Sequence, residues 1–133
     1  MQNEQTPYEA IGGDAGVRAL VDRFYDHMDT RPASAEIRAM HPKNLQSSRD
    51  KFYEFLSGWL GGPPLYMERH GHPRLRRRHM PFPIDQDAAD QWMACMELAL
   101  RDVEMSEARR SFLLQRFTQV ANFMRNVAPP EAS

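Results

Sequence analysis

The sequence has little of several features that would place the chain in a special class. It contains one cysteine, Cys95, so no intramolecular disulfide can form, and its first residues lack the apolar core of a secretion signal. No stretch approaches the roughly 18 consecutive apolar residues of a membrane span. With 17 basic and 18 acidic side chains, the formal net charge is -1, which argues against nucleic acid or an anionic membrane as the main partner. We therefore expect a cytoplasmic protein with no nucleic acid and no membrane among its partners.

Several motifs that mark common catalytic or cofactor sites are also missing. The sequence has no Cys-Xaa-Xaa-Cys-His motif, no paired cysteine and histidine spacing typical of zinc sites, no Walker-type phosphate loop and no Gly-Xaa-Ser-Xaa-Gly elbow. These absences exclude a covalently attached c-type haem and argue against zinc, nucleotide-phosphate and serine-nucleophile chemistry.

What the sequence does contain is a repeated helical pattern of apolar residues. The 133 residues are 41% apolar and 26% charged, which is typical of a single domain, here residues 1–133. We expect its ordered core at about residues 7–127. Apolar residues recur at the i, i+3, i+4, i+7 spacing in four stripes, and no strand-like alternation occurs. This pattern predicts an all-α fold and, taken alone, an ordinary four-helix bundle.

Capping residues predict where the helices begin. Thr6 followed three residues later by Glu9 can form a capping box around a short first helix. Asp14, Asp85 and Ser106 each stand just before an apolar stripe, where a short polar side chain can accept a hydrogen bond from the first turn. We predict that these three residues cap the helices that follow them.

Two segments rich in helix breakers connect the stripes. The prolines after Arg31 and His41 predict a connection that is irregular or holds one short helical turn. The run Gly61-Gly62-Pro63-Pro64 ends a long helix, and residues 65–84 show no sustained period. We predict a long loop there with one or two short helical turns, and long loops in compact domains are often functional.

The most unusual stretch, residues 71–83, combines a candidate metal ligand with cations and apolar residues. A haem needs an imidazole for its iron, cations near its propionates and apolar surface against the macrocycle. His79, flanked by Arg78, Met80 and Phe82, offers all three. Composition alone favours the plainer alternative, a solvated basic loop with an ordinary surface histidine.

Three further residues have both a structural and a functional interpretation. Trp92 and Tyr25 lie on or beside apolar stripes, where most aromatic residues pack in the core, although either can donate a hydrogen bond to a ligand. His41 stands before a proline and is a candidate switch, distal ligand or exposed loop residue. For all three, the sequence pattern by itself favours the structural interpretation.

Several motifs read together resemble the group II (O-type) truncated haemoglobins, a bacterial two-over-two globin family. The resemblance covers about residues 7–127. Trp92 follows His79 by thirteen residues, and the proline, glycine and arginine pattern before His79 is highly specific to the family. The motifs that carry the resemblance are Tyr8-Glu9-Ala10-Ile11-Gly12-Gly13, Arg23-Phe24-Tyr25, Gly61-Gly62-Pro63 and the run from Gly71 to Pro83.

The resemblance implies a truncated globin fold, a two-over-two helical sandwich around haem b (iron protoporphyrin IX). By position, His79 is the proximal metal ligand, and Tyr25, His41 and Trp92 are the distal residues that face the bound gas. Ser48 occupies a position that lines the ligand access route, and Lys51 and Arg78 match positions whose cations face the propionates. The full set of expected cofactor-binding residues is Lys51, Phe52, Phe55, Leu75, Arg78, Met80, Phe82 and Met96.

The function implied is the binding of dioxygen and other diatomic gas ligands at a histidine-ligated iron, with redox chemistry such as nitric oxide dioxygenation or peroxidase-like turnover. Turnover requires an external electron donor or reductase. A binder or sensor without turnover is the alternative, and a haem-free helical module that binds an acidic partner through the arginine-rich loop is a third hypothesis. His41 departs from the family, which usually has Phe or Tyr at this position.

Overall fold

A computed structural model of the chain describes residues 6–126 and contains helices but no strand within them. Four helices are long and the remainder are short. Their bounds are α1 Pro7–Ala10, α2 Gly13–Thr30, a 3-10 turn Pro32–Ser34, α3 Ala35–Ala39, α4 Gln46–Trp59, α5 Leu65–His70, α6 Leu75–His79, α7 Gln86–Asp102 and α8 Glu107–Met124. The all-α prediction is confirmed.

Three of the predicted caps form as expected. Thr6 Oγ1 accepts a hydrogen bond from the Glu9 amide, and Glu9 Oε1 accepts one from the Thr6 amide, each at 3.1 Å, which completes a capping box. Asp85 Oδ1 accepts from the Ala88 amide at 2.8 Å and Ser106 Oγ from the Arg109 amide at 3.1 Å. These bonds fix the starts of α1, α7 and α8.

The predicted cap at Asp14 is wrong. Helix α2 begins at Gly13, and its N-cap is Gly12, whose φ of 108° is readily adopted only by glycine. Asp14 therefore lies within the first turn, and its carboxylate accepts a hydrogen bond from the Tyr53 hydroxyl of α4 instead. The glycine pair starts the helix earlier than the acidic residue would.

The long helices pack as two pairs, α2 with α4 and α7 with α8, rather than as an ordinary four-helix bundle. The two pairs meet where α2 packs against α7, so these two helices form the centre of the fold. This is the two-over-two arrangement expected from the resemblance. The fully buried side chains at its centre include Leu20, Phe24, Met28, Leu100 and Phe117.

The segment predicted as a long loop, residues 65–84, holds two short helices, α5 and α6. Helix α5 packs on α4, and α6 packs on α8. Short helices in the connections leave space between the two pairs of long helices, which is where the cavity described below lies. Across the described residues, no helix is both long and apolar enough to cross a membrane.

Gly16 allows the corner between α1 and α2 to close. A Cβ atom added at Gly16 would lie only 1.8 Å from the carbonyl oxygen of Ile11, the C-cap residue of α1. A backbone oxygen cannot swing aside as a side chain does, so the two helices would have to separate.

We predict that Gly16→Ala destabilises the protein, although alanine is the better helix former by about 1 kcal/mol. The steric conflict should outweigh this gain and lower the free energy of unfolding by about 1–3 kcal/mol, as overpacking does. Urea denaturation of Gly16→Ala measures the effect. The control, Ala15→Gly at an exposed site in the same helix, reports the intrinsic difference between the two residues. A more stable Gly16→Ala variant would contradict the packing described.

Candidate haem pocket

A largely apolar cavity of about 400 Å³ lies among the long helices and the short helices that follow α4. Its lining residues come from α2, α4, α6, α7 and α8, with others from α3, α5 and the connections. Eleven residues singled out from the sequence line it together: Tyr25, His41, Ser48, Lys51, Phe52, Phe55, Leu75, Arg78, His79, Phe82 and Trp92.

His79, the last residue of α6, has its ring orientation and tautomer fixed by one hydrogen bond. Its Nδ1 lies 2.6 Å from the carbonyl oxygen of Leu75, one helical turn earlier. A carbonyl oxygen can only accept, so Nδ1 carries the proton and donates. In the neutral ring the lone pair then remains on Nε2, the nitrogen available to a metal. Both residues line the cavity.

Asn126, just beyond the end of α8, holds the segment around His79 in place. Its Nδ2 donates to the carbonyl oxygens of His79 at 3.1 Å and Phe82 at 2.9 Å. Its Oδ1 accepts from the Ile84 amide at 2.9 Å, and its own amide donates to the Ile84 carbonyl oxygen at 2.9 Å. Sequence reasoning missed this residue, whose only signal was an asparagine at the end of a predicted helix.

The wall formed by α2, α4 and α7 is an aromatic cluster. The Tyr25 and Phe52 ring centroids are 6.0 Å apart, and those of Phe52 and Trp92 are 6.1 Å apart, both with edge-to-face geometry. The His41 ring lies 5.8 Å from that of Tyr25. The three predicted distal residues therefore share one part of the cavity wall with Phe52.

Tyr25 and Trp92 keep their hydrogen-bond donors available to the cavity. Among residues 6–126, no protein group accepts a hydrogen bond from the Tyr25 hydroxyl or the Trp92 indole N–H, although Tyr25 is buried. Burial raises the pKa of Tyr25 well above its usual value, and the charge of Arg49 opposes this only in part. The hydroxyl therefore stays protonated at physiological pH. Both side chains line the cavity, where a bound acceptor would complete their hydrogen bonding.

His41 has the opposite hydrogen-bonding character to Tyr25 and Trp92 near neutral pH. Its Nδ1 donates to the carbonyl oxygen of Ile37 at 2.8 Å, so Nε2 of the neutral ring is an acceptor. Burial lowers the pKa of His41 below its usual value. The Ile37 hydrogen bond opposes this, and the charges of Arg38 and His79 add to it. His41 also lines a solvent-open groove of about 610 Å³ on the outer side of the chain.

Two cations lie where an anionic edge of a cofactor could be neutralised. Lys51 of α4 and Arg78 of α6 are exposed and line the cavity. Arg78 Nε donates to the Pro73 carbonyl oxygen at 2.8 Å, and its guanidinium lies 5.9 Å from the centroid of the buried Tyr66 ring. These contacts hold Arg78 near the cavity while its charge has no carboxylate partner among the described residues.

Two predicted cofactor-binding residues do not line the cavity. Met80 is 53% exposed, because successive helical residues point about 100° apart and His79 already faces inward. Met96 is fully buried in the helical core, one turn beyond Trp92 along α7, so the cavity ends before it. The pattern identified the helix face of Met96 but not how far the cavity extends along it.

Arg49 is a second residue that sequence reasoning missed. It ties α4 to α2, donating from Nη1 to the Asp22 carbonyl and carboxylate oxygens at 3.1 Å and from Nη2 to Asp26 at 2.9 Å. Its guanidinium lies 5.8 Å from the centroid of the Tyr25 ring. Arg49 itself does not line the cavity. The lining residues that were not predicted as site residues are Ile37, Met40, Pro42, Tyr66, Ile84, Ala88, Ala89, Val120, Ala121 and Met124.

Taken together, the residues around the cavity fit a haem. They supply an imidazole with an available Nε2, apolar and aromatic walls, two exposed cations and two donors without a protein acceptor among the described residues. These are the groups that hold the iron, the macrocycle, the propionates and a partly charged ligand.

Comparisons with known proteins agree with this arrangement. Residues 6–126 match the family model for bacterial-like globins. A group 2 truncated hemoglobin of Bacillus subtilis is 41% identical over 130 residues, covering 98% of this chain and 96% of that protein. A solved structure of a cold-adapted truncated hemoglobin from the Antarctic marine bacterium Pseudoalteromonas haloplanktis is 50% identical, with a TM-score of 0.91 over 93% of this chain and 100% of that one.

A second solved structure, a truncated oxygen-avid haemoglobin from Bacillus subtilis, is 42% identical with a TM-score of 0.83. The match covers 92% of this chain and 100% of that one. The family model and the full-length relatives lead to the same assignment. This chain belongs to the bacterial-like globin family, among the group II truncated haemoglobins.

Proposed function

We propose that the chain holds haem b with His79 as its iron ligand, binds dioxygen beside Tyr25 and Trp92, and uses it in redox chemistry such as nitric oxide dioxygenation. Its globin family supports haem-based ligand binding. A bound haem supplies an iron centre that takes up diatomic gases and changes oxidation state. The observation that carries the proposal is that one cavity is lined both by His79, whose Nε2 is available, and by two donors that lack a protein acceptor among the described residues.

The donors favour a ligand that gains negative charge when it binds. A hydrogen bond to a charged acceptor contributes about 1.5–3 kcal/mol, so two such bonds slow release by roughly a hundredfold or more. The Bacillus subtilis relative described as oxygen-avid supports dioxygen as that ligand. Slow release suits chemistry better than bulk oxygen delivery, and repeated turnover requires electrons from an external reductase.

The reaction is tested by rapid mixing of the dioxygen-saturated ferrous protein with nitric oxide. Stoichiometric nitrate and rapid conversion to the ferric state support dioxygenation. Simple exchange of one gas for the other, without nitrate, would show a binder without turnover.

A cytoplasmic location suits the proposal. Cys95 is the only cysteine of the sequence, and its thiol is buried with its sulfur 3.1 Å from Ser34 Oγ, so the protein needs no oxidising compartment.

His79→Gly should lose most of its haem or bind it without a protein imidazole, and added imidazole should restore the spectrum. The reason is that Nε2 of His79 is the available ligand on α6. Haem content and the Soret spectrum of the purified protein measure the effect. The control is His72→Ala, an exposed histidine of the same segment outside the cavity. Full haem content with an unchanged axial-histidine spectrum in His79→Gly would overturn the assignment.

Trp92→Phe should speed dioxygen dissociation by about tenfold or more, because it removes one donor while keeping an aromatic ring. Stopped-flow displacement by carbon monoxide measures the rate. Trp59→Phe is the matched control, since Trp59 does not line the cavity. Its ring packs instead on that of Phe117, with 4.8 Å between the two ring centroids. Equal rates in the native protein and Trp92→Phe would leave Trp92 with a packing role alone.

Dioxygen release should slow as pH falls below about 6.5, the usual histidine value. Because the pKa of His41 is lowered, its ring is neutral at pH 7 and Nε2 accepts. Protonation in acid adds an Nε2–H donor and a positive charge, and both favour a ligand with anionic character.

His41→Phe should remove most of this pH dependence and also any low-spin six-coordinate fraction in which His41 reaches the iron. Off-rates measured from about pH 5 to 8, the window in which histidine titrates, decide the matter. His72→Phe serves as the control for a general effect of losing a histidine. Superimposable profiles for the native protein and His41→Phe would show that His41 does not contact the ligand.

A further inference from the structure

We propose that the segment Leu65–Phe82, here called the basic segment, is the docking surface for an acidic electron-transfer protein that reduces the haem. The inference rests on the proposed redox function and adds to it the place and the chemistry of the electron donor. The basic segment comprises α5, α6 and the residues that join and follow them.

Charge is distributed unevenly along the chain. The basic segment contains five arginines and one glutamate, whereas the rest of the chain has twelve basic and seventeen acidic side chains. The basic segment thus has an excess of four positive charges, whereas the rest of the chain has an excess of five negative charges. Such a field orients an approaching acidic protein toward the basic segment and raises its association rate.

The cations of the basic segment remain available to a partner. Arg74 and Arg77 are exposed and do not line the cavity, and neither forms an ion pair with another described residue. Arg78 is also exposed, but it lines the cavity and is assigned to the cofactor. Arg69 differs, because its Nη1 lies 2.7 Å from the carboxylate of the mostly buried Glu54 and its charge is neutralised there. The guanidinium groups of Arg74 and Arg77 therefore form a positive patch outside the cavity, and this patch has no counter-charge of its own in the described chain.

Apolar surface accompanies these charges. Of the five large hydrophobic side chains that are exposed within residues 6–126, three belong to the basic segment. Met67 at 55% and Met80 at 53% lie outside the cavity lining, whereas Phe82 at 40% also lines the cavity. Protein interfaces typically combine an apolar centre rich in methionine and aromatic residues with a polar rim. A purely electrostatic patch would not need these side chains.

The basic segment also forms part of the haem pocket. Leu75, Arg78, His79 and Phe82 line the cavity, so a protein docked on the segment contacts an element that also forms the cavity wall. In the step proposed, the reduced partner gives up one electron and the iron held by His79 gains it, passing from the ferric to the ferrous state. No bond is made or broken in this chain.

The backbone at Arg74 provides a variant that separates docking from folding. Arg74 has φ of 49°, the one non-glycine residue of the described chain in the left-handed region. Glycine adopts this conformation without steric cost, so Arg74→Gly removes a cation while relieving backbone strain.

An acidic protein fits these features better than an anionic membrane or a nucleic acid. Interfacial membrane binding uses a long amphipathic helix, whereas α5 and α6 have six and five residues. A nucleic acid would extend beyond the basic segment and meet the acidic remainder of the chain. A small acidic protein can cover the segment alone.

The test uses the ferric holoprotein and a flavodoxin, an acidic flavin protein, as the probe. Isothermal titration calorimetry at low salt measures binding, and stopped-flow absorbance measures haem reduction by the reduced flavodoxin. Arg74→Gly/Arg77→Gln should weaken binding and slow reduction by about tenfold. Raising the salt to roughly 0.5 M should remove most of the difference between this variant and the native protein in both measurements.

The matched control, Arg23→Gln/Arg101→Gln, removes two exposed arginines outside the basic segment and the cavity and should change either value less than twofold. Equal effects of the two double variants, or none from Arg74→Gly/Arg77→Gln, would overturn the proposal. Tighter binding of phosphatidylglycerol vesicles or single-stranded RNA than of flavodoxin would also overturn it. Reduction by dithionite and the Soret spectrum test the haem site separately, so failure of the proposed function is distinguished from failure of docking.

Discussion

The hydrogen bond from His79 Nδ1 to the Leu75 carbonyl oxygen is the constraint on which the haem pocket depends. At 2.6 Å it fixes the tautomer and directs the available lone pair to Nε2. It requires only a single helical turn, which α6 supplies. Asn126 then anchors that segment to the end of α8 through the carbonyl oxygens of His79 and Phe82. The position of the His79 ring therefore rests on backbone groups that a distant residue holds in place.

The other side of the pocket is held by packing and electrostatics on α2, α4 and α7. Phe52 separates and supports the rings of Tyr25 and Trp92, and Arg49 links α4 to two carboxylates of α2. None of these contacts engages the tyrosine hydroxyl or the indole N–H, so both donors remain without a protein acceptor among the described residues. The Nδ1 of His41 already donates to the Ile37 carbonyl oxygen, so its Nε2 can donate a hydrogen bond only when the ring is protonated.

Much of the fold could be predicted from the sequence, because stripes and caps are local. Thr6, Asp85 and Ser106 cap helices as their spacing predicts. The resemblance grouped Tyr25, His41 and Trp92 as distal residues, and all three line one cavity. Asn126 and Arg49 could not be found in this way, because their partners lie 47 and 27 residues away along the chain. Helical periodicity identifies which face of a helix is apolar but not how far a cavity extends along that face. It therefore could not show that the cavity stops short of Met96 on α7.

The central claim is that a histidine of this chain holds the haem iron, and resonance Raman spectroscopy of the ferrous, ligand-free protein tests it most directly. We expect an iron–imidazole stretching band that shifts when the protein is prepared with nitrogen-15 histidine and that persists in His41→Phe. Absence of the band, or a band that histidine labelling does not shift, would contradict the account.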